Sequence, residues 1–192
     1  RYQGRLLGSF GQVSTRSFHE TKNLTCGEGG AIVINDASLV ERAEIHREKG
    51  TNRSRFFRGQ VDKYTWVDLG SSFLPSDMLA AFLLAQLERV DTIQSTRKRL
   101  WETYDGALGD WAASVGALRP HVPVPCEQSY HMYYLLLPSE TIRAELIAHL
   151  KRRGIHSVFH YVPLHTSPMG EHFGGRRGDC PVTEDISDRL LR

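Results

Sequence analysis

The stretch Ser17-Phe18-His19-Glu20-Thr21-Lys22-Asn23, followed at once by Gly27-Glu28-Gly29-Gly30, constrains this chain more than any other. It sets one lysine among hydroxyls and other polar groups, then gives the backbone three glycines in four positions. The apolar run Ala31-Ile32-Val33-Ile34 that follows reads as a buried strand. Chemistry that uses such a lysine is capture of a carbonyl as a Schiff base, with a nearby hydroxyl holding an anionic group of the same cofactor. A lysine amine of pKa about 10.4 attacks at neutral pH only once it is desolvated or bonded, and a dry strand beneath the turn would supply that. Most lysines are solvated loop residues, and on residue types alone that reading of Lys22 stays open.

Net charge is +2, so no strong field draws the chain to nucleic acid or to a membrane surface. Cys26, Cys126 and Cys180 are an odd number without paired spacing, which argues against a disulfide framework and fits a reducing cytoplasm. No apolar run is long enough to span a bilayer, and no secretory signal opens the sequence.

Asp36 is placed to cap a helix running to about Lys49, with Gly50 as its stop. From Thr51 to Pro75 there is no clean periodicity, which marks a functional or disordered loop. Here Arg53, Arg55, Arg58 and Lys63 alternate with Phe56, Phe57, Tyr64 and Trp66. That mixture suits a base, a sugar and a diphosphate held together, and it equally suits packing against a subunit partner. Ribonucleic acid would use similar residues, but no nucleic-acid motif accompanies them. Ser76 is expected to cap the longest helix, with an apolar stripe from Leu79 to Tyr104 that frays near Gly106 and Gly109. Beyond Pro120–Pro125 the chain reads as strand (130–137), helix capped by Ser139 and closed by Gly154, and strand (155–162). This predicts a small α+β lobe after a boundary near residue 115, and Ser187–Arg192 reads as the inside of a helix. His156, His160 and His165 raise a metal site, but no cysteine pair or carboxylate completes a zinc pattern, so no metal is expected.

Ser-Phe-His-x-x-Lys-Asn with the glycines behind it resembles the Schiff-base lysine segment of the sugar-nucleotide aminotransferases, pyridoxal-phosphate enzymes of the aspartate-aminotransferase fold. The segments Glu44–Arg53, Phe57–Trp66 and Val158–His165 resemble the branch that converts dTDP-4-keto-6-deoxyglucose to dTDP-4-amino-4,6-dideoxygalactose for surface polysaccharide. The resemblance implies an α/β chain of fold type I. Residues 1–115 would be the end of the large cofactor-binding domain, and 116–192 a truncated small C-terminal domain. An opening without methionine and the absence of the family's upstream cofactor groups fit a C-terminal portion of a longer enzyme, inactive alone.

By the same resemblance Lys22 is the catalytic lysine, Ser17 holds the cofactor phosphate, and Ser72 is a second, weaker phosphate contact. Gly70-Ser71-Ser72-Phe73-Leu74-Pro75 stands where many relatives carry Gly-Tyr-Asn-Tyr-Arg-Met, which is why Ser72 is only a substitute. Lys63, Tyr64, Trp66, His160 and His165 are implied for the sugar nucleotide. L-glutamate is the implied amino donor, and a homodimer with shared sites the implied assembly. A non-catalytic sugar-nucleotide-binding relative, or an aminotransferase for another nucleotide-linked keto sugar, is the alternative.

Overall fold

The computed structural model describes residues 1–192. The chain divides into two compact units, residues 1–94 with 124–129, and residues 95–123 with 130–192.

The first unit opens on an antiparallel hairpin of β1 (Val13–Ser17) and β2 (Gly30–Ile34), paired from Val13 with Ile34 to Ser17 with Gly30. The lysine turn is therefore the long connection of that hairpin. β2 is not the buried floor its composition suggests: Gly30, Ala31 and Ile32 are exposed, and Ile32 keeps 52% of its surface. Only Cys26 and Gly50 of the first unit are buried.

Asp36 caps as expected, accepting the Ser38 N–H at 2.9 Å, though a short 3-10 turn precedes α1 (Val40–Arg47). The 51–75 stretch contains one short helix, α2 (Arg53–Phe57). Gly50 and Gly70 pass back to back where the following loop crosses the end of α1. A Cβ on Gly50 would lie 1.8 Å from the Asp68 carbonyl oxygen, and one on Gly70 would lie 2.1 Å from the Gly50 nitrogen.

Ser76 caps α3 (Asp77–Glu88) by accepting the Leu79 N–H, but the helix ends there instead of running to Tyr104. Arg89 leaves helical geometry (φ −110°, ψ 16°), and a separate α4 (Val90–Val115) follows. α4 does not fray at Gly106 or Gly109. The Arg119 guanidinium lies along it, bonded to Asp105 through both the carboxylate (3.0 Å) and the carbonyl (2.8 Å). It stops at Gly116 (φ +72°), where Ala117 N–H reaches Ala112 O and Gly116 N–H reaches Ala113 O, the paired bonds of a glycine-closed helix end.

From Ser95 on, α4 belongs to the second unit. Trp101 and Tyr104 pack on Tyr133 at ring-centroid distances of 5.3 and 5.6 Å. Burial, then the bond to Asp105, pushes the Tyr133 phenol up to about 12. The core gathers Ala112, Ala117, Leu135, Leu137 and Leu191, with Leu146, Ile147 and Leu150 of α5 (Glu140–Arg152) against it.

The sheet of this unit departs from expectation. The strand foreseen at 130–137 shrinks to β3 (Leu135–Leu136), because Tyr130 turns at φ +52° and its neighbours pack on α4. The stretch 155–162 pairs only at Val158 and Phe159. The missing strand is the last segment: after α6 (Pro168–His172) and α7 (Pro181–Arg189), β4 (Leu190–Leu191) enters the sheet between β3 and Phe159. Ser187–Arg192 is thus helix end and inner strand, with Leu191 in the core.

Candidate active site

The Lys22 turn is held from several sides. Phe18 N–H bonds Gly29 O at 2.8 Å and Cys26 N–H bonds Phe18 O at 2.9 Å, continuing the hairpin ladder into the loop. Lys22 N–H closes a turn on His19 O at 2.9 Å. His19 Nδ1 accepts the Thr21 N–H at 3.2 Å, which leaves its Nε2 to face Glu28 Oε1 at 3.5 Å. Asn23 anchors the far side, donating to Ser129 O at 2.6 Å and Gln94 Oε1 at 3.0 Å. The turn rests on Cys26, whose sulfur leaves no room for a Cβ on Gly29 (2.6 Å). Behind Phe18, Cys26 and Gly29, α3 closes a cavity of about 210 Å³ with Leu79, Leu83 and Leu87.

Lys22 and Ser17 are both exposed. Ser17 Oγ accepts the His19 N–H at 3.3 Å, so its own hydroxyl proton is free to be donated outward. A donor hydroxyl and a primary amine at the two ends of one tight loop fit a ligand bearing a phosphate and an aldehyde. His19, Asn23 and Cys26 are the supports: the sequence motif contains His19 and Asn23 without assigning them a role, and offers Cys26 only as an unpaired thiol.

The aromatic–basic loop is corrected in one respect. Its arginines do not form an open phosphate cradle. Glu41, Glu44 and Glu48 lie along one side of α1 and take Arg55 (3.0 Å), Arg58 (2.8 and 2.5 Å) and Arg53 (4.0 Å). The Arg58 bond holds the Glu44 carboxyl below its usual range. Lys63 is the one cation of the loop without a carboxylate partner. Lys63, Tyr64, Trp66 and Ser72 are all exposed, Trp66 to 74%. Tyr64 meets the Phe56 ring edge-on at 5.6 Å, and Asn52 brackets Thr65 through its N–H and its Oδ1, aiming Tyr64 and Trp66 on either side. Ser72 bridges Glu48. No hydrogen bond or ion pair joins Lys22 to any of these four.

His160 and His165 belong to the second unit. His160 packs on Tyr161 with ring centroids 4.1 Å apart. His165 Nε2 is 2.8 Å from Glu184 Oε1, a partner the sequence does not announce. No three His, Cys, Asp or Glu side chains gather as metal ligands, and no helix is long and apolar enough to cross a membrane.

Comparison with known proteins places this geometry. The DegT/DnrJ/EryC1/StrS aminotransferase family model matches residues 1–192. The dTDP-3-amino-3,4,6-trideoxy-alpha-D-glucose transaminase of Streptomyces venezuelae is 31% identical over 193 residues, covering 100% of this chain and 47% of its own. GDP-perosamine synthase of Caulobacter vibrioides is 33% identical over 175 residues, covering 89% and 44%. The solved structure of S. venezuelae DesV superposes with a TM-score of 0.83 at 31% identity, over 100% of this chain and 48% of that one. A DegT DnrJ EryC1 StrS aminotransferase from Brucella abortus gives 0.78 at 31%, over 96% and 46%. The chain spans about half the length of the curated relatives it matches. Enzymes of this family depend on pyridoxal phosphate and share fold type I. With the whole of its length matched and its lysine turn built as described, this chain belongs to the DegT/DnrJ/EryC1/StrS aminotransferase family.

Proposed function

We propose that this chain carries the lysine of a pyridoxal-phosphate-dependent aminotransferase acting on a nucleotide-linked keto sugar. The most specific form of the reading is transfer of the amino group of L-glutamate to dTDP-4-keto-6-deoxyglucose, giving dTDP-4-amino-4,6-dideoxygalactose and 2-oxoglutarate. The exchange is balanced: glutamate loses amine and electrons, the sugar carbonyl gains both, and no outside oxidant is needed. The observation that carries it is the hairpin turn with Ser17 Oγ bonded by the His19 N–H and Lys22 held at its tip.

When bound, pyridoxal phosphate supplies the aldehyde that takes the amino group and a ring that accepts the electron pair. Lys22 would hold the aldehyde carbon until the donor's amine displaces it, and the freed amine would then take a proton from glutamate Cα and later deliver one to C4 of the sugar. Ser17 would donate its hydroxyl to the phosphate, with Ser72 a second donor. His19 and Asn23 fix the turn so that Nζ returns to the same place. Lys63 would pair with the diphosphate, Tyr64 and Trp66 would stack on base or sugar, and His160 and His165 would meet the hexose. The exposed aromatics of 56–82 suit a homodimer or higher oligomer, in which that loop serves a neighbouring site.

Borohydride reduction of the intact protein with pyridoxal phosphate, followed by peptide mapping, is the test. The pyridoxyl mass should sit on Lys22, and Lys22→Ala should lose both the label and amino transfer from glutamate. A label on another lysine, or full transfer by Lys22→Ala, overturns the assignment.

A further inference from the structure

Glu184 is the one charged residue buried in the whole chain, at 8% exposure. It sits in the first turn of α7, and its Oε1 is shared by two donors: the Gly178 N–H at 2.7 Å and His165 Nε2 at 2.8 Å. Oε2 faces Arg177 at 3.8 Å, and Arg177 is drawn in turn to Asp188 at 3.4 Å. A carboxylate among three donors is ionised and accepts only, which obliges His165 Nε2 to carry its proton. The His165 bond, then the Gly178 bond, holds the Glu184 carboxyl below its usual range, in keeping with that state.

The backbone of His165 is fixed as tightly as its ring. A Cβ on Gly175 would lie 2.5 Å from His165 O, and one on Gly170 would lie 1.8 Å from Leu164 O. α6 and its glycine end therefore close directly on the 164–166 turn. A histidine pinned at backbone and at one ring nitrogen has a single remaining group to offer, Nδ1. The His165 side chain keeps 16% of its surface, while Leu164 before it in the same turn is 85% exposed.

We propose that Glu184 is the positioning residue of His165: it fixes the Nε2–H tautomer and leaves Nδ1 as an acceptor for a hydroxyl of the hexose. This rests on the sugar-nucleotide reading above. An unprotonated Nδ1 repels a phosphate oxygen and welcomes a sugar O–H, which is the distinction the ligand should report.

The intact protein is titrated by calorimetry with dTDP and with dTDP-glucose, neither of which can be transaminated. Loss of one hydrogen bond predicts that Glu184→Ala and His165→Ala each weaken dTDP-glucose about three- to tenfold and leave dTDP unchanged. The double variant should lose no more than either single, because one residue acts through the other. Glu184→Gln keeps an Oε1 acceptor and should bind within about twofold of the parent. Nitrogen-15 spectra of the parent, which need no variant to fold, should show a pyrrole-type Nε2 and a pyridine-type Nδ1 at His165. Additive losses, an equal loss of dTDP, or the opposite tautomer overturns the proposal. A parent that binds neither nucleotide would sink the sugar-nucleotide reading and the ligand role of Nδ1 with it, while the tautomer signal would still judge the hold of Glu184. Borohydride labelling of Lys22 tests the cofactor reading independently.

Discussion

Gly50→Ala is the change most open to calculation. Gly50 has φ +75°, a conformation that costs an L side chain roughly 1–2 kcal/mol. The new Cβ would also stand 1.8 Å from Asp68 O, 2.8 Å from Asp68 C and 3.0 Å from Trp66 Nε1. Backbone atoms cannot swing aside as a side-chain tip can, so the 66–70 loop must lift away. Lifting it stretches the bonds from Val67 N–H (2.8 Å) and Asp68 N–H (3.0 Å) to Gly50 O. Those two bonds are worth about 1 kcal/mol each net, so the whole loss should reach roughly 3–4 kcal/mol. Gly59→Ala is the control. It shares the left-handed backbone (φ +68°) with nothing within 4 Å of the added carbon, and should lose only the conformational part. Urea titrations of the intact protein, read at equal slope, should separate the two variants by about 2 kcal/mol. Coincident midpoints would show that the two loops do not cross at Gly50.

Other perturbations follow the same physics. Leu137→Ala empties the largest fully buried side chain of the second unit (1% exposed) and should cost about 2–5 kcal/mol in a urea titration. Acid should loosen both units. Glu44 is held low by Arg58, and Glu184 by His165 and Gly178, so their contribution is complete above the ordinary glutamate value of 4.5 and is lost as pH falls through the lowered values. Replacing either by glutamine should lower stability at neutral pH and flatten its fall on that acid side. The chain purified by itself should bind a hydrophobic dye strongly and melt without a sharp transition, and a cooperative, dye-free melt of a monomer would contradict the apolar exposure of the first unit.

What could be read beforehand divides along a physical line. Ser76, Ser139 and Asp36 announce helix starts because a cap is a local bond between a side chain and the N–H two or three residues on. Lys22 is legible for the same reason: turn, hydroxyl and lysine lie within one short segment. The break at Arg89 carries no glycine or proline, so it leaves no signal. The Glu41, Glu44 and Glu48 face is visible as spacing, but its match to Arg55, Arg58 and Arg53 exists only once α2 folds back over α1. His165 and Glu184 are nineteen residues apart and meet through α6 and α7. β4 reads as helix from sequence since two leucines after an arginine look alike in either state, and only pairing with β3 on one side and Phe159 on the other decides.

The surface explains why the site reads as a half. Two separate bodies of about 11 kDa each would together expose roughly 11,000 Å² by the scaling of folded monomers. This chain of 21.7 kDa exposes 13762 Å², and the surplus is on the scale of a large protein interface. It is unevenly distributed. The second unit buries Ala112, Leu135, Leu137 and Leu191 together, whereas the first buries only Cys26 and Gly50. Those two lie where the chemistry is sought, one beneath the Lys22 turn and one beneath the loop that holds Trp66. The backbone of the candidate site is thus anchored while the side chains that would enclose a ligand face outward. An amine that must lose water to attack a carbonyl needs an enclosure that β2, with Ile32 half exposed, does not give. On the proposed reading, such an enclosure would come from a second copy of this chain or another protein surface, and Lys22 would become reactive through assembly, not through the fold of its own hairpin.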